Sequence, residues 1–157
     1  MLLFEVIDEF KKHNLKYTIV GGYALALHGI VRATVDVDLV LQLNKSNFEL
    51  AEKALNQIGL MSRIPVRANE IISMRKEYIE KRNLLAWSFV DFKNPSRQVD
   101  ILITKNLKDL DTEKLSVGNR KISVVTLKEL YRLKQESGRP QDLIDLQYIK
   151  EKLSEQK

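Results

Sequence analysis

An α+β fold, with helices interleaved among the strands of a mixed sheet and further helices at the C-terminal end, is what this chain predicts. Three observations carry it. β-Branched and aromatic runs of strand length recur, among them Tyr17 to Val20 and Val35 to Leu41. Stretches of helical spacing lie between those runs, and capping or stop residues stand at the junctions. No repeat, low-complexity tract or composition break divides the chain, so residues 1–157 read as one domain.

Taken in order, Leu3, Val6, Ile7 and Phe10 repeat at helical spacing and predict an opening helix that ends near Asn14. Tyr17-Thr18-Ile19-Val20 reads as a strand that runs into the tight glycine turn Gly21-Gly22 and then a helix from Tyr23 to His28. Val35 to Leu41 alternates: Val35, Val37, Leu39 and Leu41 face one way, and Asp36 and Asp38 share the other face. Ser46 with Glu49 has the spacing of a capping box. Phe48, Ala51, Leu55 and Ile58 then give that helix one apolar face before Gly59 stops it. Residues 67–83 also read as helix. Leu84 to Phe92 and Gln98 to Ile103 bracket the turn composition Lys93 to Arg97, which predicts an antiparallel hairpin with Asp100 on its second strand. Thr126 with Glu129 caps another helix, Gly138 ends it, and Pro140 opens the last one, which frays after about Leu153.

With 44% hydrophobic and 30% charged residues the composition is that of a soluble globular domain, and no apolar run is long enough for a bilayer, so no membrane association is expected. The length leaves little room for a separate substrate domain, which makes help from a protein partner an expectation. The first ten residues lack a basic start and carry acids, unlike a secretion signal. Cysteine is absent, which excludes disulfides and cysteine-based catalysis and fits a cytoplasmic protein. A net charge of +5 permits a polyanionic partner without requiring one.

The chemistry concentrates in a glycine pair and a set of aspartates. Asp36 and Asp38 on one strand face stand about 6.5 Å apart. Two like charges at that distance repel by roughly 2.5 kcal/mol at an effective dielectric of about 20, and Asp100 would add to the cost. Either some of these carboxylates keep their protons or a divalent cation binds between them. Oxygen donors without a partnering Cys or His favour Mg²⁺ or Mn²⁺ over Zn²⁺. The strand, glycine turn and helix start around Gly21 and Gly22 form a cradle for an anion such as phosphate.

Together, Gly21-Gly22, Arg32-Ala33-Thr34, Asp36-Val37-Asp38 and Asp100 resemble the nucleotidyltransferase superfamily that includes DNA polymerase beta. The stretch GGYALALHGIVRATVDVDL is similar to the small prokaryotic branch that contains the AbiEii-type toxin transferases. Lys134, Arg139, Asp142 and Asp145 resemble that branch's lysine, arginine and aspartate motif. The resemblance implies an Mg²⁺-dependent (or Mn²⁺-dependent) transfer of a nucleoside monophosphate from a nucleoside triphosphate to a hydroxyl. Asp36, Asp38 and Asp100 would be the metal ligands and catalytic carboxylates, with Asp100 assigned to a second ion and to the attacking hydroxyl. Gly21, Gly22, Arg32, Thr34, Lys134 and Arg139 would meet the phosphates. Many members carry Gly-Ser where this chain has Gly21-Gly22, so backbone N–H groups must replace the serine hydroxyl.

Local readings stand beside these roles: an ion pair for Arg32, and helix-end charge complementation for Lys134, Arg139, Asp142 and Asp145. His13 and His28 read as packing or surface residues. The acceptor is not legible; an RNA end, a protein side chain, an aminoglycoside or another small alcohol all satisfy the chemistry. The alternatives are a nucleotide-binding protein without turnover, in a toxin–antitoxin pair or outside one, and a nucleic-acid-binding module. That module would use Arg63, Arg67, Arg75, Lys76, Lys81 and Arg82, with Tyr78 and Trp87 nearby.

Overall fold

The computed structural model of the chain describes residues 1–156. Its opening helix α1 (Leu2–Lys12) buries Leu3, Val6, Ile7 and Phe10, the face the spacing predicts. Strand β1 (Thr18–Val20) passes directly into α2 (Gly21–Leu27), and β2 (Val37–Val40) and α3 (Lys45–Gln57) follow. A short β3 (Met61–Ser62) leads to α4 (Ala68–Ser73) and α5 (Arg75–Arg82). The hairpin of β4 (Ala86–Asp91) and β5 (Asn94–Leu102) comes next, then the hairpin of β6 (Thr112–Val117) and β7 (Arg120–Val125). Helices α6 (Leu127–Ser137) and α7 (Pro140–Glu155) complete the described chain. No helix among the described residues is long and apolar enough to cross a membrane.

All seven strands join one mixed sheet in the order β3-β4-β5-β2-β1-β7-β6. The β2–β5 and β1–β7 pairs are parallel and the others antiparallel. Residues opposite one another in register share a face of a sheet. One face therefore carries the rows Phe89–Val99–Val37 and Trp87–Ile101–Leu39–Ile19, every member of which is fully buried. Phe48 of α3 stacks on Trp87 at 5.9 Å between ring centroids, and Phe89 meets Trp87 edge-on at 4.6 Å. The indole N–H of Trp87 donates to Ser62 Oγ at 2.9 Å, so its one polar atom is satisfied inside the core.

Several boundaries differ from the sequence expectation, each for a local reason. β2 begins at Val37, leaving Val35 exposed and Asp36 just outside the strand, because β1 ends at Val20 and offers no partner beyond Asp38. The cap of α3 is Asn44, whose side chain accepts from the Asn47 N–H at 2.8 Å; Ser46 lies within the helix. Residues 67–83 form two helices, broken at Met74 (φ −109°, ψ 17°), since α4 buries Ala68 and Ile71 while α5 buries nothing. The β4–β5 turn is only Phe92-Lys93: Asp91 accepts from the N–H groups of Lys93 and Asn94, and Asn94 to Arg97 join β5. The β6–β7 hairpin occupies a stretch that the pattern reading leaves unassigned, although Gly118-Asn119 is a hairpin signal. α6 is capped by Thr126 and closed by a left-handed Gly138 as expected, and α7 runs on to Glu155.

Candidate active site

The face of the sheet opposite Trp87 carries a polar row. Val20, Asp38, Asp100 and Ser88 lie side by side across β1, β2, β5 and β4, with Asp38 and Asp100 in direct register. Gly21 follows Val20 with a positive φ of 67°, and a Cβ there would lie 2.2 Å from Asp38 Oδ2. Glycine is thus required twice over, by its backbone and by the carboxylate packed against it. A Cβ on Gly22 would meet Thr34 Oγ1 at 2.3 Å and Arg32 Nη1 at 2.8 Å, so the segment before β2 lies over the start of α2.

Burial pushes the Asp38 carboxyl up to about 7, reinforced by the charge of Asp100, a hydrogen bond between the two carboxyls, and Asp36. Asp36 is also raised, chiefly by burial and then by Asp100, with Arg63 opposing. Asp100 accepts from Ser88 Oγ at 2.6 Å and from Gln98 Nε2 at 2.9 Å, both on Oδ1.

A cleft of about 560 Å³ opens onto this row. Gly21, Asp38 and Asp100 line it together with Lys134 and Arg139, and Leu85, Leu102, Leu130 and Leu133 add apolar surface. Gly22, Arg32, Thr34 and Asp36 are not part of this lining. A wider recess of about 820 Å³ beside α3 and α4 is lined by Lys45, Glu49, Lys53 and Arg67 among others, and none of the predicted site residues opens into it.

The cations predicted to meet phosphate are held by acids. Lys134 is buried, with its Nζ 3.1 Å from Asp142 Oδ1 and 3.1 Å from Asp145 Oδ2. The contact with Asp145 is an ion pair without hydrogen-bond alignment, which leaves that fully buried oxygen without a donor. Arg139 Nε donates to Asp142 Oδ2 at 2.8 Å, and Arg32 Nε lies 3.2 Å from Asp145 Oδ1. Burial alone would raise Asp142, but hydrogen bonds from Arg139, Ser137 and Lys134 outweigh it and hold the carboxyl well below its ordinary value. Asp142 and Asp145 therefore bind Lys134 in the interior, a stronger role than complementing a helix end.

The donors present suit a hard divalent cation: Asp38 and Asp100 are adjacent carboxyls, and the raised pKa of Asp38 reflects the cost of ionising both without a cation. Among the described residues, no group of three or more acidic, His or Cys side chains is gathered as a ready-made cage. Asp36 lies just outside β2 and off the cleft lining, yet near enough for the Asp100 charge to raise it.

The basic stretch is largely engaged within the protein. Arg67 pairs with Glu52 at 3.0 Å, Arg63 donates to Gln98 Oε1 at 3.3 Å, Arg75 donates to the Ile103 carbonyl, and Arg82 lies over the Tyr78 ring. Trp87 is fully buried and unable to stack on a base, which corrects its expected place in a nucleic-acid surface. His28 Nε2 donates to the Val125 carbonyl at 2.8 Å and His13 sits by Glu9, so both act locally.

A family model described as "nucleotidyltransferase of unknown function (DUF6036)" matches residues 1–135. The chain belongs to this nucleotidyltransferase family. Solved structures of nucleotidyltransferases share its fold. The lincosamide antibiotic adenylyltransferase LnuA, solved with lincomycin bound, superposes with a TM-score of 0.64 at 15% identity, covering 95% of this chain and 94% of that one. ANT(2")-Ia, solved with adenylyl-2"-tobramycin, gives 0.62 at 11% identity, covering 94% and 84%. A protein of Thermotoga maritima assigned as a nucleotidyltransferase gives 0.61 at 13% identity, covering 94% and 89%. No curated protein matches the chain in sequence.

Two residues at the site of this nucleotidyltransferase, Ser88 and Gln98, are not among those the sequence motifs single out. A signal for both exists. Ser88 is a lone hydroxyl between Trp87 and Phe89, and Gln98 precedes Asp100 by one strand period, so both share the Asp100 face.

Proposed function

We propose that this nucleotidyltransferase transfers a nucleoside monophosphate from a nucleoside triphosphate to an acceptor hydroxyl, with Mg²⁺ or Mn²⁺ held by Asp38, Asp100 and Asp36. The observation that carries the reading is the register of Asp38 with Asp100, beside Gly21 and at the wall of a cleft that also presents Lys134 and Arg139. A bound divalent ion supplies Lewis-acid stabilisation of the phosphate oxygens and lowers the pKa of the attacking hydroxyl. The chain's own part is binding and orientation. Asp38 must give up its proton to ligate, so binding is favoured above neutral pH. Gly21 presents bare backbone to the polyphosphate at the cleft, with Gly22 packed beneath Thr34 and Arg32 behind it, while Lys134 and Arg139, oriented by Asp142 and Asp145, offer positive charge in the same cleft. Asp100, whose Oδ1 holds Ser88 and Gln98, would receive the acceptor's proton once Asp38 has ionised and the hydrogen bond between the two carboxyls is released, as the acceptor oxygen attacks the α-phosphorus and pyrophosphate leaves.

The acceptor is an alcohol of unassigned class: RNA, protein and antibiotic hydroxyls all fit. The test is incubation with each labelled nucleoside triphosphate and Mn²⁺ against total RNA, total protein and a panel of hydroxylated antibiotics. Label should enter one pool with the parent and none with Asp38→Asn. A second reading, nucleotide binding without turnover, draws on the crowding of Gly22 by Thr34 and Arg32 and on the acids that engage Lys134, Arg139 and Arg32. Nucleotide that binds tightly yet labels no pool would favour it.

A further inference from the structure

Resting on the nucleotidyltransfer reading, we propose that Ser88 and Gln98 are positioning residues that decide which oxygen of Asp100 faces the reacting groups. Both donate to the same atom: Ser88 Oγ to Asp100 Oδ1 at 2.6 Å, and Gln98 Nε2 to Asp100 Oδ1 at 2.9 Å. They reach it by different routes. Ser88 lies directly across the β4–β5 register from Asp100, and Gln98 precedes it on the same strand and the same face.

The sense of the Gln98 amide is set by a third residue. Gln98 Oε1 accepts from Arg63 Nη1 at 3.3 Å, so the NH₂ end is the one that turns to Asp100. Arg63 is itself anchored, its backbone N–H donating to the Ser88 carbonyl at 2.9 Å. Arg63, Ser88, Gln98 and Asp100 thus close a ring of hydrogen bonds on the open face of the sheet.

Neither Ser88 nor Gln98 lines the cleft, whereas Asp100 does, so their action passes through the carboxylate. Rotating that carboxylate would break both bonds at once. With Oδ1 occupied, Oδ2 is the oxygen left for a cation shared with Asp38 or for the acceptor. A hydroxyl and a primary amide also do what hydrophobic strand residues cannot: they hold an anion in place while leaving its charge uncompensated for the cation.

The test uses the whole chain, Mn²⁺, and a mixture of the α,β-methylene nucleoside triphosphates, with bound Mn²⁺ followed by electron paramagnetic resonance. Variants are Ser88→Ala, Gln98→Met, the two combined, and Ser88→Thr. Mn²⁺ affinity in the weakest binding step should fall by about 10–100-fold in the combined variant, the usual scale for groups that orient a metal ligand, while Ser88→Thr stays parental. Thermal unfolding of each variant checks that the fold is intact. A combined variant that is folded and binds Mn²⁺ as the parent does overturns the inference while leaving the function reading in place. A Ser88→Thr loss as large as that of Ser88→Ala also overturns it, because the hydroxyl would then be irrelevant. A parent that binds no Mn²⁺ with nucleotide overturns the function reading, and this inference with it.

Discussion

Asp38 stands across from Asp100 in the parallel register of β2 and β5, and burial together with that neighbouring carboxyl raises Asp38 to about 7. A carboxyl raised in the folded state binds a proton more tightly there than in the unfolded chain. Its contribution to stability is complete below the ordinary pKa near 3.8 and is lost as pH rises through about 7. Asp38→Asn, which mimics the protonated form, should leave stability at pH 3 almost unchanged and raise it at pH 8 by on the order of 4 kcal/mol. Urea unfolding followed through the buried Trp87 reads this directly. Equal stability of parent and variant at pH 8 would show that Asp38 ionises freely.

The same carboxylates should separate binding from turnover. Asp38→Asn should abolish Mn²⁺-dependent nucleotide binding in calorimetry, because it removes the ligand nearest the glycine turn. Asp100→Asn should bind nucleotide almost normally, yet lower transfer by about a hundredfold or more once an acceptor is found. Transfer at the parental rate by Asp100→Asn would dismiss the three-carboxylate mechanism.

Space above the glycine turn makes a further prediction. From the sequence, Gly22→Ser would be expected to be tolerated, but a Cβ there meets Thr34 Oγ1 at 2.3 Å and Thr34 Cβ at 2.7 Å, so even Ala should displace the segment before β2. Gly22→Ala should weaken nucleotide binding, on the order of tenfold, a cost of about 1.4 kcal/mol. Thr34→Gly in the same chain should restore most of it, since it removes the two nearest atoms the new methyl meets and leaves only the movable end of Arg32, at 2.8 Å. Fluorescence titration of the single and double variants decides; no recovery in the double variant would place the fault elsewhere.

Lys134 is the shared partner of two buried acids. Lys134→Met should remove the buried cation they share, leaving Asp142 to Arg139 and Asp145 to Arg32 and Gln141, at a cost of about 2–3 kcal/mol, below the roughly 3–5 kcal/mol of a wholly unpaired buried charge. Asp142 is held low in the fold, so its contribution is present above the ordinary carboxyl range and is lost as pH falls below it. The destabilisation by Lys134→Met should therefore be largest near neutral pH and shrink on acidification. A urea midpoint unchanged at pH 7 would mean that the ion pairs contribute no net stability.

By itself the sequence determined the identity and order of most elements, because helix and strand periods, glycine stops and the Thr126 cap are local signals. It also placed Gly21 beside a strand end and singled out Asp36, Asp38 and Asp100 as residues needing a cation or a proton. What it reported only loosely were the exact ends, as at Asn44, Met74 and Phe92, where a single side-chain bond or a change of packing surface chooses the boundary.

Only the tertiary structure decided which of those residues meet. β2 and β5 are far apart in the chain, and their pairing, which brings Asp100 beside Asp38, depends on burying Trp87, Ile101 and Leu39 in one row on the opposite face. It also left Asp36 outside the strand, turned Lys134 inward onto Asp142 and Asp145, and brought Ser88 and Gln98 to one oxygen of Asp100. The physical reason is that periodicity assigns a side chain to a face, whereas strand order and register, set by non-local burial, assign that face its neighbours.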